Sequence, residues 1–107
     1  MANAKKTQKD TVKALRGIGH RLEPIVTVGA SGLSETLIAE TLRALHDHEL
    51  IKIKLPAGSA DERKACATAL AEATESEVMH HIGRMALLFR KNPDANPKLS
   101  NLARFGF

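Results

Sequence analysis

The chain has 107 residues, 43% hydrophobic and 26% charged, with 16 lysines and arginines against 12 aspartates and glutamates. That length suits one compact domain and is too short for two, and so ordinary a composition excludes a disordered, collagenous or coiled-coil chain. The apolar runs are short and the lysine-rich start has no apolar block behind it. No membrane span or secretory signal is therefore expected, and the protein is assigned to the cytoplasm.

The charges are segregated along the chain. Residues 1–21 carry six basic groups against Asp10 alone, residues 22–80 carry five basic and ten acidic groups, and residues 81–107 carry five basic groups against Asp94. If the two basic ends meet in the fold, they form one cationic surface suited to a polyanion such as RNA; if not, they are solvated tails. The lone cysteine, Cys66, rules out an internal disulfide and a Cys-x-x-Cys redox or zinc pair, and reads as core.

In chain order, residues 7–19 are predicted to form a helix. Val12, Leu15 and Ile18 recur on one side, while Lys6, Lys9, Lys13 and Arg16 make a basic ridge on another. Pro24 opens a β-branched run over residues 25–28 that reads as a buried strand, ended by Gly29-Ala30-Ser31-Gly32. Ser34 is the predicted N-cap of a second helix through about His46, with Leu37, Ile38, Thr41, Leu42 and Leu45 toward a sheet. Residues 50–55 alternate Ile51, Ile53 and Leu55 with Lys52 and Lys54, the period of a strand buried on one face, so the two lysines point the same way.

Pro56-Ala57-Gly58 turns the chain, and Ser59 with Glu62 forms a capping box for a third helix whose inward positions are expected at Cys66, Ala69, Leu70 and Ala73. Two more strands, residues 78–82 and 85–90, meet at Gly83-Arg84, with glycine where a type II′ hairpin needs it. Residues 92–100 have two prolines and no apolar period, which predicts a flexible tail. Leu102, Phe105 and Phe107 are expected to share its disorder rather than dock on the body or a partner. The sum is an α/β fold in the order α-β-α-β-α-β-β, one four-stranded mixed sheet with packed helices, comprising a single domain over residues 1–91 and a tail over 92–107.

Little in this chain suggests catalysis. His46 and His48 suit the carbonyl-rich end of the second helix, and His80 and His81 alternate on a strand, so they cannot chelate one ion together. No nucleophile motif, Walker loop or paired carboxylate stands out, so no metal, cofactor or enzymatic activity is expected; a small hydrolase using His80 or His81 is the weakest reading. Residues 29–32 are the exception. A G-x-x-G turn between a strand and a helix start offers backbone N–H groups and a helix dipole to an anion, and some RNA-binding domains clamp a nucleotide backbone this way. The competing explanation is that the glycines merely permit positive φ, with Glu35 already answering the dipole.

Three separated segments are distinctive in combination: Leu-Glu-Pro-Ile-Val-Thr-Val-Gly-Ala-Ser-Gly-Leu-Ser from Leu22, His-Glu-Leu-Ile-Lys-Ile-Lys from His48, and Ile-Gly-Arg-Met-Ala-Leu-Leu-Phe-Arg from Ile82. Together they resemble the CRM domain (chloroplast RNA splicing and ribosome maturation) in its stand-alone bacterial YhbY-like form, over about residues 7–90. The resemblance implies an RNA-binding protein without catalysis that associates with precursors of the large ribosomal subunit. It also implies a fold similar to the C-terminal domain of translation initiation factor three. In that family the G-x-x-G loop is the proposed RNA contact, which corresponds here to Gly29, Ala30, Ser31 and Gly32; Ser31 stands where relatives often carry Asn.

With no Trp, no Tyr and three Phe, the chain lacks the aromatic platform on which splayed bases usually stack. The expected mode is therefore electrostatic contact with the phosphates of folded rRNA, through residues 29–32, Lys9, Lys13 and Arg16 on the first helix, Lys52 and Lys54 on a strand, and Arg84 at the hairpin. A monomer in the cytoplasm, bound to ribosomal particles, is expected. The rival reading is a protein–protein adaptor that meets a ribosomal protein or assembly factor through its acidic second and third helices.

Overall fold

The computed structural model describes residues 4–105, with side chains from Val12 onward. The elements are α1 (Ala4–Gly19), β1 (Pro24–Thr27), α2 (Glu35–His48), β2 (Leu50–Lys54), α3 (Ala60–Ala73), β3 (Glu77–Ile82), β4 (Met85–Phe89) and a short α4 (Asn101–Arg104). The strands form one sheet in the order β1-β2-β4-β3, with β1 parallel to β2 and the other neighbours antiparallel. This is the α/β architecture with a four-stranded mixed sheet anticipated from the sequence.

Local chemistry sets the boundaries. Ser34 accepts the Leu37 N–H at 3.1 Å, and the Ser59–Glu62 box is closed in both directions, at 3.1 and 3.2 Å. Gly83 takes φ 55° and Arg84 does not turn positive, as a type II′ hairpin requires.

Each face of the sheet has its own core. On one face, Val26, Ile51, Ile53, Leu55, Ala86 and Leu88 pack against Leu37 and Leu45 of α2 and against Ala67, Leu70 and Ala71 of α3. The inward stripe of α3 is thus 67, 70, 71 and 74 rather than 66, 69, 70 and 73; Ala69 and Ala73 are exposed and Cys66 is half-buried. Alanine at 65, 67, 69, 71 and 73 leaves the apolar period ambiguous, and the buried Thr74, whose hydroxyl donates to the Leu70 carbonyl at 2.8 Å, settles the rotation.

On the other face, Leu15 and Ile18 of α1 join Leu50, Leu87 and Leu102, with Met79, Phe89 and Phe105 at the margin. This second core covers only half of its face. In β1, Val26 is buried while Ile25 is 47% exposed and Thr27 lies open, so the strand expected to be buried is an edge strand covered on one side.

The C-terminal segment departs furthest from expectation. Residues 92–105 do not trail away as a flexible tail but fold back as a strap over the α1 side of the sheet. Glu49, buried and at φ 62° after α2, is its anchor: its carboxylate accepts the Asn92 N–H at 2.8 Å and the Ser100 hydroxyl at 2.7 Å. Asn101 Nδ2 donates to the Leu50 carbonyl at 2.6 Å, and Leu102 enters the second core. Asn92 and Asn96 each turn the chain by accepting the N–H two residues on, and Ser100 caps α4. Polar anchors of this kind leave no apolar period to detect. Phe107 lies outside the described residues.

Replacing Glu49 with Ala should remove two charge-assisted acceptors from buried donors, and denaturant unfolding is expected to show a loss of about 2 kcal/mol. Amide exchange should accelerate first across residues 92–104.

Candidate nucleic-acid interface

The half-covered face follows from the path of α1. The helix crosses the β3 edge, where Arg16 Nε donates to the Met79 carbonyl at 3.3 Å, and it ends over β4, where a Cβ on Gly19 would collide with Leu87 Cδ1. The chain then turns through residues 20–23 into β1. Beyond that turn, strand alternation leaves Thr27, Lys52, Lys54, His80, Ile82 and Met85 on the uncovered part, and none of these is acidic.

The anticipated site residues fall into two groups joined by β2. Residues 29–32, Lys54 and Arg84 share one end of the sheet. Thr27 pairs with Lys54, Val28 N–H donates to the Lys54 carbonyl at 2.9 Å, Lys54 pairs with Met85, and Arg84 Nε donates to the Leu55 carbonyl at 3.1 Å. Arg16 and Lys52 form the second group, lining a cavity of about 210 Å³ with His20 and His80 under the last turn of α1. Lys13 is exposed one turn before Arg16, toward the β3 edge, whereas the loop follows β1 at the opposite edge. The first helix and the loop therefore flank the sheet face, with Lys52 and Lys54 between them. The Lys9 side chain lies outside the described residues.

The two glycines of the loop are not equivalent. Residues 29–32 form a turn in which Gly32 N–H donates to the Gly29 carbonyl at 3.0 Å, and Gly32 has φ 78°, a conformation that penalises any side chain. Gly29 has no positive φ and open space where a Cβ would sit. Local folding requires glycine at 32 and not at 29. Leu33 and Ser34 separate the turn from α2, where the Ser34 side chain accepts the Leu37 N–H, and Ala30 and Ser31 of the turn are exposed.

Sequence reasoning weighed His80 only as a ligand or catalyst and passed over His20, Arg21 and Arg104. His20 and His80 meet edge to face at 6.4 Å between ring centres. Burial, then the charges of Arg16, His20 and His81, push the His80 pKa below the ordinary 6.5, while His81, on the other face, is pushed down by burial and Lys64. The shared parity of His80 and Lys52 on a sheet was the available clue. Arg21 and Arg104 both stack on Phe105, at 4.5 and 5.8 Å, so the basic N- and C-terminal segments do meet. Among the described residues no cluster of His, Cys, Asp or Glu could hold a metal, and no helix is long and apolar enough to cross a membrane. Burial pushes the Cys66 thiol up, away from the reactive thiolate.

Fold and surface together define a small α/β domain with a half-covered, lysine-bearing sheet face beside a glycine turn. Residues 8–90 match the model of the CRS1/YhbY (CRM) domain, and the chain belongs to that family. It is 46% identical over 93 residues to a Pseudomonas aeruginosa protein named a probable RNA-binding protein, covering 87% of this chain and 89% of that one. It is 33% identical over 85 residues to an RNA-binding protein of Haemophilus influenzae, covering 79% and 86%. The solution structure of a hypothetical Staphylococcus aureus protein, described as a candidate RNA binder, superposes with a TM-score of 0.71 at 32% identity, covering 79% of this chain and 88% of that one.

Two measurements check this geometry. Gly32→Ala is expected to cost about 1 kcal/mol in denaturant unfolding, whereas Gly29→Ala leaves stability unchanged. In an NMR titration His80 should protonate below 6.5, and Arg16→Gln should move its midpoint upward. Because the unfolded chain takes up this proton first, acidification from the unfolded midpoint down through the folded one lowers stability, and the neutral ring costs nothing at pH 7.

Proposed function

We propose that this protein binds the phosphate backbone of ribosomal RNA and, by associating with precursor large ribosomal subunits, assists their assembly. It acts as a cytoplasmic monomer without cofactor or catalysis, with residues 1–91 as the binding domain. Its contacts are the turn at residues 29–32, Lys54 and Arg84 at one end of the sheet, Lys52 at its centre, and Lys9, Lys13 and Arg16 on α1.

One observation carries this reading. The two ion pairs among the described residues are His46–Asp47 and Arg90–Glu75, so Arg16, Lys52, Lys54 and Arg84 have no carboxylate of a described side chain within 4.0 Å. Cations left uncompensated next to an exposed turn suit an extended polyanion, whose condensed counterions are released on binding. RNA binding by the named relatives agrees with this.

If four to six of these groups contact phosphates, log K for an rRNA fragment should fall with log salt at a slope of about −3 to −5, and Lys54→Ala should make it shallower by about one. Gly29→Ala should weaken binding without lowering stability. A salt-independent affinity contradicts the proposal. So does association with pre-ribosomal particles that survives complete RNA digestion, which would transfer the function to a protein contact.

A further inference from the structure

The cavity under the last turn of α1 has a composition that phosphate binding does not explain. Its volume of about 210 Å³ lies below the range of drug-sized pockets, on the scale of a single small ring system. Arg16, Lys52, His20 and His80 supply its polar lining, Met85 and Leu87 its floor, and Ile82, 46% exposed, its mouth. A phosphate alone would be served by the cations and would gain nothing from an apolar floor or from two imidazole rings.

Those rings and the guanidinium are the groups on which unpaired RNA bases stack when Trp, Tyr and Phe are absent. They are also held in place. Arg16 is tied through Nε to the Met79 carbonyl, His20 and His80 brace each other, and Gly19 lets the helix rest directly on Leu87. No carboxylate lines the cavity, so the lining complements an anionic ligand. The charged and titratable groups around His80 are Arg16 of α1, His20 of the turn that follows it and Lys52 of β2, with the neighbouring His81 acting on it from the other face.

From this we infer that the cavity is a subsite for one unpaired RNA nucleotide: the base enters the cavity lined by Arg16 and the His20–His80 pair and stacks on their exposed faces, and Lys52 meets the phosphate. The inference rests on the RNA-binding reading above and sharpens it. Backbone contacts at Lys54, Arg84 and the glycine turn give affinity for any structured RNA, whereas this cavity selects RNA in which a nucleotide is free of its partner. A base inside a regular duplex cannot reach it.

The test uses the full chain and two RNA stem-loops with the same number of phosphates, one with a fully paired stem and one with a single-nucleotide bulge. The bulged RNA should bind about tenfold more tightly, the effect of one stacked base. It alone should shift the ring-proton NMR signals of His20 and His80. In the His20→Ala/His80→Ala double variant that preference should fall to about twofold or less with the salt slope unchanged, whereas Lys54→Ala should weaken both RNAs alike. Equal affinity of the wild-type protein for the two RNAs overturns the subsite and leaves the backbone reading standing. A double variant that keeps the preference overturns it as well. Failure to bind either RNA removes both readings together.

Discussion

The close seat of Gly19 on Leu87 governs the rest of the molecule. A four-stranded sheet has two faces to cover, and α2 with α3 fully covers one. On the other, Leu15 and Ile18 must meet Leu50 and Leu87, each buried side chain contributing about 1.5–3 kcal/mol, and the helix needed to bring them there stops over β4 because the chain must return to start β1 at the edge. The remaining half of that face is left with Thr27, Lys52, Lys54 and His80 beside the apolar Ile82 and Met85. The candidate site occupies the area that packing does not use.

Charge follows from the same arrangement. Glu35, Glu40, Asp47, Asp61, Glu62 and Glu72, six of the ten acidic residues of the middle segment, ride on α2 and α3, and these helices pack on the face opposite Lys52 and Lys54. Segregation along the sequence thereby becomes segregation across the sheet. An uneven distribution of this kind turns the lysine-bearing side toward a polyanion on approach, at distances up to the Debye length of about 8–10 Å. The adaptor alternative would require those same acidic helices to find a partner, and no observation singles out a docking surface on them.

Much of this was legible in the residues. Period and capping chemistry located α2, β2, α3 and the hairpin because each rests on local interactions: Ser34 with Leu37, Ser59 with Glu62, the alternation of Ile51 and Ile53 with Lys52 and Lys54. Three features were not legible, for distinct reasons. The burial of β1 depends on how far α1 reaches, which is a tertiary matter. The rotation of α3 is hidden among alternating alanines. The strap is held by Glu49, Ser100 and Asn101 through hydrogen bonds spanning about fifty positions, and such pairs leave no periodic trace. At the site, Lys52, Lys54 and the glycine turn were visible from strand parity and motif, while the His20–His80 pair required the register of β3, which a bulge at Met79 shifts.

The strap shows why the open face stays open at one end only. The family-model match ends at residue 90, yet residues 92–105 complete the second core by placing Leu102 beside Leu15 and Leu50. Had Glu49 faced solvent, its charge would have sat near the basic surface; turned inward by its positive φ, it holds Asn92 and Ser100 instead. The same closure draws Arg104 to Phe105 next to Arg21, so an acidic group is consumed in the interior while a basic one is added outside. Stability and surface charge are therefore served by one contact, because the carboxylate that secures the strap is also kept off the surface.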